Sequence, residues 1–201
     1  RLLLGPLYAP LREEFQNHKK YYGDAVGRIL LTTGNTDCNQ IVYSLLKALI
    51  PLAEDYDIVV DVVIGRMFNN KDILHNTYGN NPNICLYENI QSMATLMEKC
   101  DLAISANGTT VYELMAMGIP TITFAMVPEQ TNSAEKLSSL GVIEYCGTSY
   151  DEKEACIGKI KCEIDYYINH NDALVALASK ARSLIDGNGC QRIVKAINGL
   201  N

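Results

Sequence analysis

The sequence has 201 residues, of which 48% are hydrophobic and 20% are charged, with 14 glycines and 6 prolines. This composition is typical of a globular protein and excludes disordered, collagenous and coiled-coil proteins. The formal net charge of −6 argues against nucleic acid or an anionic membrane as a partner, because both bind basic surfaces.

Short apolar strands alternate with amphipathic helices along the chain. Strands are predicted over residues 28–33, 57–64, 84–87, 102–105, 121–124 and 142–145. Helical spacing of apolar residues predicts helices around 42–49, 90–97, 107–117, 133–140, 157–168, 174–181 and 190–197. Pro51 is expected to end the first helix and Gly118 the third. Residues 66–83 are polar and predict a loop that can hold a short helix.

Six strands joined by helical crossovers require a mostly parallel sheet. We therefore predict one doubly wound α/β domain with a six-stranded sheet and helices on both faces. It divides into an opening segment (1–27), an α/β core (28–150) and C-terminal helices (151–201). Ligands of such sheets bind beyond the carboxyl ends of the strands. The loops of interest are those that follow residues 33, 64, 87, 105 and 124.

The seven cysteines are scattered and form no C-x-x-C pair. This pattern favours reduced, mostly buried thiols in a cytoplasmic protein. No apolar run reaches the ~18 residues of a membrane span, and no signal peptide opens the chain. The sequence begins at Arg1 without a methionine, so we expect a fragment of a longer protein.

The strongest candidate for a binding loop is Ser105–Thr110, which links a buried strand directly to a helix N-terminus. Gly108 permits close approach of a ligand, and free N–H groups with the helix dipole favour an anion such as a diphosphate. The alternative is that Asn107, Gly108 and Thr109 only form a tight turn and an N-cap. The segment by itself leaves both interpretations open.

Glu113 lies one helical turn further and also has two interpretations. Its carboxylate could accept hydrogen bonds from both hydroxyls of a ribose. However, Thr110–Glu113 also has the T-x-x-E spacing of a capping box, in which Glu113 bonds only to the backbone. The spacing alone favours the capping role.

A second strand–glycine–polar turn is present at residues 32–37. Asp37 and Gln40 could form a capping pair there, and a loop that faces a ligand is also plausible. Neither G-x-G-x-x-G nor the P-loop pattern occurs in the sequence, which argues against a Rossmann dehydrogenase or a P-loop NTPase. His18, His75 and His170 are isolated from one another and are interpreted as exposed bystanders.

The order of these motifs resembles a known family. The matching segments are Leu4–Phe15, Met93–Ser105, Asn107–Thr121 and Pro128–Asn132. They resemble the C-terminal half of the UDP-sugar hydrolase of pseudaminic acid synthesis, a family that includes spore-coat polysaccharide proteins. More distantly, the chain is similar to the C-terminal domain of the peptidoglycan N-acetylglucosaminyltransferase, which has the GT-B fold.

The resemblance implies a UDP-sugar-binding domain, one Rossmann-like half of a GT-B fold, with no catalytic residue, metal or cofactor of its own. It implies that the diphosphate is held by Asn107, Gly108, Thr109 and Thr110. The first loop would face the phosphates through Thr33, Gly34, Asn35 and Thr36. Glu113 would hold the ribose. The uracil would be framed by Gly65, Tyr87 and Asn89, and the sugar or diphosphate would meet Gln130 and Asn132.

Two departures from the family pattern accompany the resemblance. Asn107 stands where relatives usually carry a glycine, and its side chain is expected to narrow the phosphate pocket. Residues 32–35 lack the double glycine common in the first loop.

The family's N-terminal domain, which supplies a histidine base, is absent from this sequence, so the chain is expected to bind without turnover. Three hypotheses follow: the UDP-binding half of a UDP-sugar hydrolase, the donor half of a glycosyltransferase or UDP-sugar epimerase, and a non-catalytic nucleotide-binding module.

Overall fold

The computed structural model describes residues 2–16, 18 and 25–199. Its strands are β1 (Arg28–Thr32), β2 (Val59–Val63), β3 (Ile84–Tyr87), β4 (Leu102–Ala106), β5 (Thr121–Ala125) and β6 (Glu144–Thr148). Its helices are α1 (Ile41–Asp55), α2 (Lys71–Tyr78), α3 (Met93–Met97), α4 (Thr109–Met117), α5 (Pro128–Ser139), α6 (Lys153–Asn169), α7 (Asn171–Leu184) and α8 (Gly189–Asn198). The predicted opening segment is described at residues 2–16, 18 and 25–27, and its other residues lie outside the described part.

The six strands form one sheet in the order β3-β2-β1-β4-β5-β6, and every pairing among them is parallel. The prediction of a six-stranded, mostly parallel sheet is therefore confirmed. The order reverses between β1 and β4, where Ile29 pairs with Leu102 and Thr32 with Ser105. At such a reversal the neighbouring crossovers leave in opposite directions, and a crevice opens at the carboxyl ends of the two strands.

Helices cover both faces of the sheet because successive side chains of a strand point to opposite sides. Ile29 and Leu31 of β1 pack into a core shared with α1, α2 and α6. Leu30 packs into a second core shared with α3, α4 and the opening segment, which contributes the fully buried Phe15. The doubly wound arrangement predicted from the sequence is confirmed.

The first helix is longer than predicted. Pro51 was expected to end α1, but the helix continues through it to Asp55. Proline removes one backbone hydrogen bond of a helix, yet Leu52 and Ala53, which follow it, are buried in the first core. Pro51 itself lies on the exposed side of the helix. Burial of Leu52 and Ala53 therefore offsets the backbone hydrogen bond that Pro51 removes.

The elements around β6 also differ from the prediction. The segment 128–132, which precedes the helix predicted around 133–140, forms the start of α5, where Pro128 occupies the first turn that proline favours. The sixth strand begins at Glu144 rather than at residue 142. Val142 and Ile143 are buried in the second core before the strand begins, so their apolar character reflects burial and not strand pairing.

The three predicted C-terminal helices are present as α6, α7 and α8. The apolar stripes of α6 and α7 are buried, but Val194 and Ile197 of α8 remain 55% and 56% exposed. α8 instead contacts the opening segment at its first residue, where a Cβ on Gly189 would collide with the Ala9 carbonyl oxygen.

The cysteines are less uniformly buried than predicted. Cys100, Cys146 and Cys156 are buried, whereas Cys38 and Cys162 are exposed at the surface. Cys38 is exposed because it lies in the loop before α1, and Cys162 because it lies on the outer side of α6. Within the described residues, no helix is long and apolar enough to cross a lipid bilayer.

Candidate functional site

A cleft of about 340 Å³ opens at the carboxyl ends of β1 and β4, where the strand order reverses. Seven of the predicted site residues line it: Gly34, Asn35, Gly65, Asn89, Thr109, Thr110 and Glu113. The remaining predicted residues lie outside its lining: Thr33, Thr36, Tyr87, Asn107, Gly108, Gln130 and Asn132. The structure thus brings together residues from the three loops after β1, β2 and β3 and from the start of α4.

The connection between β4 and α4 supplies backbone donors to this cleft. Gly108 is the residue before the helix, and its extended backbone has no side chain to cap the first turn. The first N–H groups of a helix have no intrahelical acceptor and lie at the positive end of the helix dipole. Because Thr109 and Thr110 line the cleft, their backbone and hydroxyl groups can serve an anion there.

Glu113 faces the cleft rather than acting in a capping box. α4 starts at Thr109, so Thr110 lies inside the helix and cannot be its N-cap. The Glu113 side chain is 15% exposed and accepts a hydrogen bond from Arg12 Nη2 at 3.5 Å. Burial raises the pKa of Glu113, and the Arg12 charge partly opposes this rise. The capping interpretation, which the spacing favours, is wrong.

The Asn107 side chain is turned away from the cleft. Its Nδ2 donates to the Gln130 carbonyl oxygen at 2.9 Å and to Ser133 Oγ at 2.7 Å. The residue is buried and ties the end of β4 to the first turns of α5. The expectation that Asn107 narrows the phosphate pocket is therefore wrong, because α5 starts early enough to offer these acceptors.

Gln130 and Asn132 both lie on α5, outside the cleft. The Gln130 side-chain oxygen accepts from the Met126 backbone N–H at 2.7 Å, which stabilises the turn into the helix. Asn132 is exposed on the same helix. Their predicted contact with a sugar or diphosphate is not supported by their positions in this structure.

The loop after β1 reaches the cleft with Gly34 and Asn35 but uses its hydroxyls internally. Thr33 Oγ1 donates to the Thr36 carbonyl oxygen at 2.8 Å, and Thr32 Oγ1 accepts from the Gly34 N–H at 3.2 Å. Gly34 has φ of 78°, a left-handed conformation that glycine adopts without strain. Thr33 and Thr36 therefore shape the loop, and they do not line the cleft.

Asp37 caps α1 from the same loop. Its Oδ1 accepts from the Ile41 N–H at 2.8 Å, and its Oδ2 accepts from Asn70 Nδ2 at 3.2 Å. Burial raises the pKa of Asp37. Asp37 and Gln40 do not form the predicted capping pair. Gln40 adopts a left-handed backbone conformation, and its side chain makes no capping hydrogen bond.

Gly65 and Asn89 bring the loops after β2 and β3 to the cleft. A Cβ on Gly65 would collide with the Gly34 and Asn35 carbonyl oxygens, so the first two loops pack together only with glycine here. Asn89 adopts a left-handed backbone conformation with φ of 52°. Tyr87 instead packs into the second core beneath the cleft.

Several residues that line the cleft were not predicted from the sequence. They comprise two cations, one hydroxyl and an apolar wall: Arg12, Arg66, Thr32, Val63, Ile64, Ile90 and Met93. Arg66 lies in the loop after residue 64, one of the loops where a ligand was expected, so its position in the sequence could have indicated a site residue. Arg12 is 101 residues from Glu113, and only its position in a recognisable opening motif could have indicated it.

The three histidines are more structured than bystanders, and none of them lines the cleft. His75 Nε2 lies 2.8 Å from Glu88 Oε1, and Lys71 Nζ donates to Glu88 Oε2 at 3.2 Å. His18 lies between Glu14 and Glu98, and His170 stacks on Tyr166. No group of three or more His, Cys, Asp or Glu side chains suited to a metal occurs in the described part of the chain.

Taken together, the cleft offers backbone donors at a helix N-terminus, two guanidinium groups, one carboxylate and an apolar wall. Donors and cations suit an anionic group, a carboxylate suits vicinal hydroxyls, and the apolar wall suits a ring. A parallel sheet with such a cleft at its reversal point is typical of nucleotide-binding α/β domains.

Comparison with known proteins gives the family. The sequence profile described as "Glycosyltransferase family 28 C-terminal domain" matches residues 28–195, and the chain belongs to this family. It is 34% identical over 126 residues to an uncharacterized protein of Methanocaldococcus jannaschii, covering 59% of this chain and 26% of that protein. It is 25% identical over 203 residues to the spore coat polysaccharide biosynthesis protein SpsG of Bacillus subtilis, covering 100% of this chain and 59% of SpsG. The chain thus spans less than two thirds of either relative.

Solved structures show the same fold. MurG of Acinetobacter baumannii aligns with a TM-score of 0.63 and 18% identity, covering 99% of this chain and 56% of MurG. The UDP-GlcNAc 2-epimerase of Neisseria meningitidis, solved with UDP-GlcNAc bound, aligns with a TM-score of 0.67 and 16% identity, covering 87% and 45%. The Rossmann-like half of a GT-B fold predicted from the sequence is confirmed as the fold of this chain.

Proposed function

We propose that this chain is the nucleotide-binding domain of an enzyme that acts on a UDP-sugar in surface polysaccharide synthesis. The proposal is supported by the family, by the polysaccharide role in the name of SpsG and by the UDP-GlcNAc bound to the epimerase. Because the chain covers about half of these proteins, we also propose that it acts together with a second, N-terminal domain.

The observation that carries the proposal is the juxtaposition of the α4 N-terminus and Glu113 in one cleft. A diphosphate at Thr109 and Thr110 would meet backbone donors, with Arg12 and Arg66 as nearby cations. The Glu113 carboxylate, about one helical turn further along α4, would accept from the ribose hydroxyls.

The apolar wall of the cleft would receive the base. The apolar residues that line it are Val63, Ile64, Ile90 and Met93, with Gly65 and Asn89 beside them. Ring-sized apolar surfaces with a few polar groups at the edge are the usual form of small-molecule sites. The seven predicted residues that line the cleft therefore remain our proposed ligand contacts.

In its detailed form, the proposal assigns the complete enzyme to hydrolysis of a UDP-2,4-diacetamido-2,4,6-trideoxy-hexose. A base of the second domain would activate water, while the α4 donors stabilise the departing diphosphate. We expect this chain alone to bind without releasing UDP, because attack by water needs a positioned base. His75, the histidine nearest in sequence to the cleft loops, is paired with Glu88 outside the cleft lining.

A glycosyltransferase donor domain is the second candidate function. It is favoured by the family profile itself, and the epimerase alignment adds a related UDP-sugar reaction on the same fold. These candidates share the nucleotide site and differ in what the second domain presents to the sugar. A nucleotide-binding module without catalysis is the third.

Calorimetric titration with UDP tests the shared nucleotide site. We expect wild-type chain to bind UDP with micromolar to millimolar affinity, since half of the cleft is proposed to be missing. Glu113→Gln should weaken binding about tenfold while leaving the melting temperature unchanged, because the loss of a charged acceptor acts on the ligand and not on a helix cap. Glu154→Gln, an exposed change on α6, is the matched control and should bind as wild type does.

Two outcomes would count against these assignments. Folded wild-type chain that gives no heat with millimolar UDP would contradict the proposal. Loss of stability without loss of UDP affinity in Glu113→Gln would return Glu113 to a structural role.

A further inference from the structure

Arg12 makes three contacts beside the cleft, and its side chain remains 58% exposed. Its Nη1 pairs with Glu14 Oε1 at 2.6 Å, its Nη2 contacts Glu113 Oε1 at 3.5 Å, and its guanidinium lies 5.0 Å from the centre of the Phe15 ring. Phe15 is fully buried, so the surface under the guanidinium is rigid. The Arg12 charge thus lies near Glu113.

The backbone that carries Arg12 is anchored as well. Leu11, its neighbour, is buried, and the Leu11 carbonyl oxygen accepts from Cys190 Sγ at 3.3 Å. Arg192 of α8 donates to the Leu7 carbonyl oxygen at 3.1 Å. The opening segment is therefore secured by α8 on one side while it presents Arg12 to α4 on the other.

A continuous polar chain leads from α3 to α4 through Arg12. Ser92 caps α3 by accepting from the Thr95 N–H at 3.2 Å, and the same hydroxyl donates to Glu14 Oε2 at 2.7 Å. Glu14 then pairs with Arg12, and Arg12 with Glu113. Each carboxylate in this chain has a donor that orients it.

The charges around Glu113 make Arg12 its main source of stabilisation as an anion. Burial raises the pKa of Glu113, the nearby Glu14 carboxylate raises it further, and Arg12 alone is found to lower it. Arg66 lines the same cleft from the loop after β2 but has no bond to Glu113. Without Arg12, a half-buried carboxyl would face a like charge and would take up a proton more readily.

We propose that Arg12 is a positioning residue of the nucleotide site, which keeps the Glu113 carboxylate ionised and oriented so that it can accept both ribose hydroxyls. The inference rests on the proposed function, because it assumes that Glu113 binds ribose. It also makes the opening segment a part of the site, although this segment precedes the α/β core by sequence.

The inference predicts a pH dependence with a definite sign. A protonated Glu113 cannot accept from two hydroxyls, so binding weakens as the pH falls through its raised pKa. Arg12→Gln raises that pKa further and moves the loss of affinity to higher pH. The ratio of wild-type to Arg12→Gln affinity should therefore grow as the pH falls from about 8 to about 5, by up to about tenfold for each unit of change in pKa.

The experiment measures UDP affinity across this pH range for wild type, Arg12→Gln, Arg12→Lys and Arg66→Gln. Ionisation of free UDP cancels in each ratio to wild type at a given pH, whereas any pH dependence that comes from the bound phosphate is measured in the Glu113→Gln background. Arg12→Lys keeps the charge and should restore most of the wild-type profile. Arg66→Gln should weaken binding by the same factor, at each pH, in the wild-type and the Glu113→Gln backgrounds. In the Glu113→Gln background, the ratio for Arg12→Gln should change less with pH than it does when Glu113 is present.

Two results would overturn the inference while leaving the proposed function standing. One is a pH-independent effect of Arg12→Gln, and the other is an unchanged pH dependence of that effect in the Glu113→Gln background. Absence of UDP binding in wild type would instead remove the proposed function. In that case the Glu113 carboxyl pKa, followed by NMR in wild type and Arg12→Gln, still tests the charge coupling, and an equal pKa in both proteins would contradict it.

Discussion

Two connections of similar sequence lead from the central strands into helices, and they use their polar groups differently. In the loop from Thr33 to Gln40, hydroxyl, carboxylate and carbonyl groups bond to one another or to Asn70 and Lys153. In the connection at Gly108, the first turn of α4 has no side-chain cap, and Thr109 and Thr110 open onto the cleft. The first connection is a closed framework, and the second leaves its donors available.

A binding loop and a structural turn can therefore contain the same residue types. Glycine, threonine and asparagine are suited to both roles. What distinguishes them is whether the chain provides its own acceptors and donors nearby. Asp37 provides them for α1, whereas Gly108 provides none for α4, and a ligand anion can then complete the helix terminus.

Asp37→Ala should produce the largest effect because it opens the closed framework. The change removes the acceptor of the Ile41 and Val42 N–H groups and the partner of Asn70. We expect the free energy of unfolding to fall by about 2 kcal/mol, measured by urea denaturation. The UDP affinity of the folded protein should change by less than about threefold, since Asp37 does not line the cleft.

Cys38→Ala is the matched control for this change, because Cys38 is the exposed neighbour of Asp37. Its stability should remain within about 0.5 kcal/mol of wild type. If Asp37→Ala were as stable as the control but lost UDP binding, the first loop would be a binding loop and the comparison would be reversed.

Asn107→Gly should also lower the free energy of unfolding, by less than Asp37→Ala does. The Asn107 side chain bonds to the Gln130 carbonyl oxygen and to Ser133 Oγ, so the loss should be about 1 kcal/mol of unfolding free energy. UDP affinity should stay within about threefold of wild type, as measured by calorimetry. A large gain in affinity would show that the Asn107 side chain obstructs the phosphate position after all.

Most of the fold could be predicted from local patterns. Short apolar runs predicted β1 to β5 within two residues at each end, and the helical crossovers predicted a parallel sheet. Two predictions were wrong because of tertiary burial. α1 continues through Pro51 because the next two residues are buried, and Val142 and Ile143 are buried before β6 without pairing to a strand. Such effects depend on contacts distant in sequence, which local patterns do not contain.

A residue of the candidate site could be predicted only where its own loop contains the feature that suggests ligand binding. Thr109 and Thr110 belong to this group, because they follow a strand end directly and begin a helix. Gly65 does not, because the reason for its glycine is the close approach of Gly34 and Asn35 from another loop. Arg12 does not, because its contact with Glu113 joins the opening segment to α4. Asn107 and Gln130 were assigned to the ligand because their actual partners depend on where α5 begins. The Asn107 side chain donates to the Gln130 backbone carbonyl oxygen, and the Gln130 side chain accepts from the Met126 N–H.

An NMR titration of the labelled chain with UDP follows every backbone amide at once and compares the two connections in one experiment. We expect the amides of Thr109, Thr110 and Glu113 to shift strongly and saturably, while those of Asp37 to Val42 keep their positions. Saturable shifts at Asp37 to Val42, with Thr109 and Thr110 unaffected, would show that the open helix terminus of α4 is not the nucleotide-binding element.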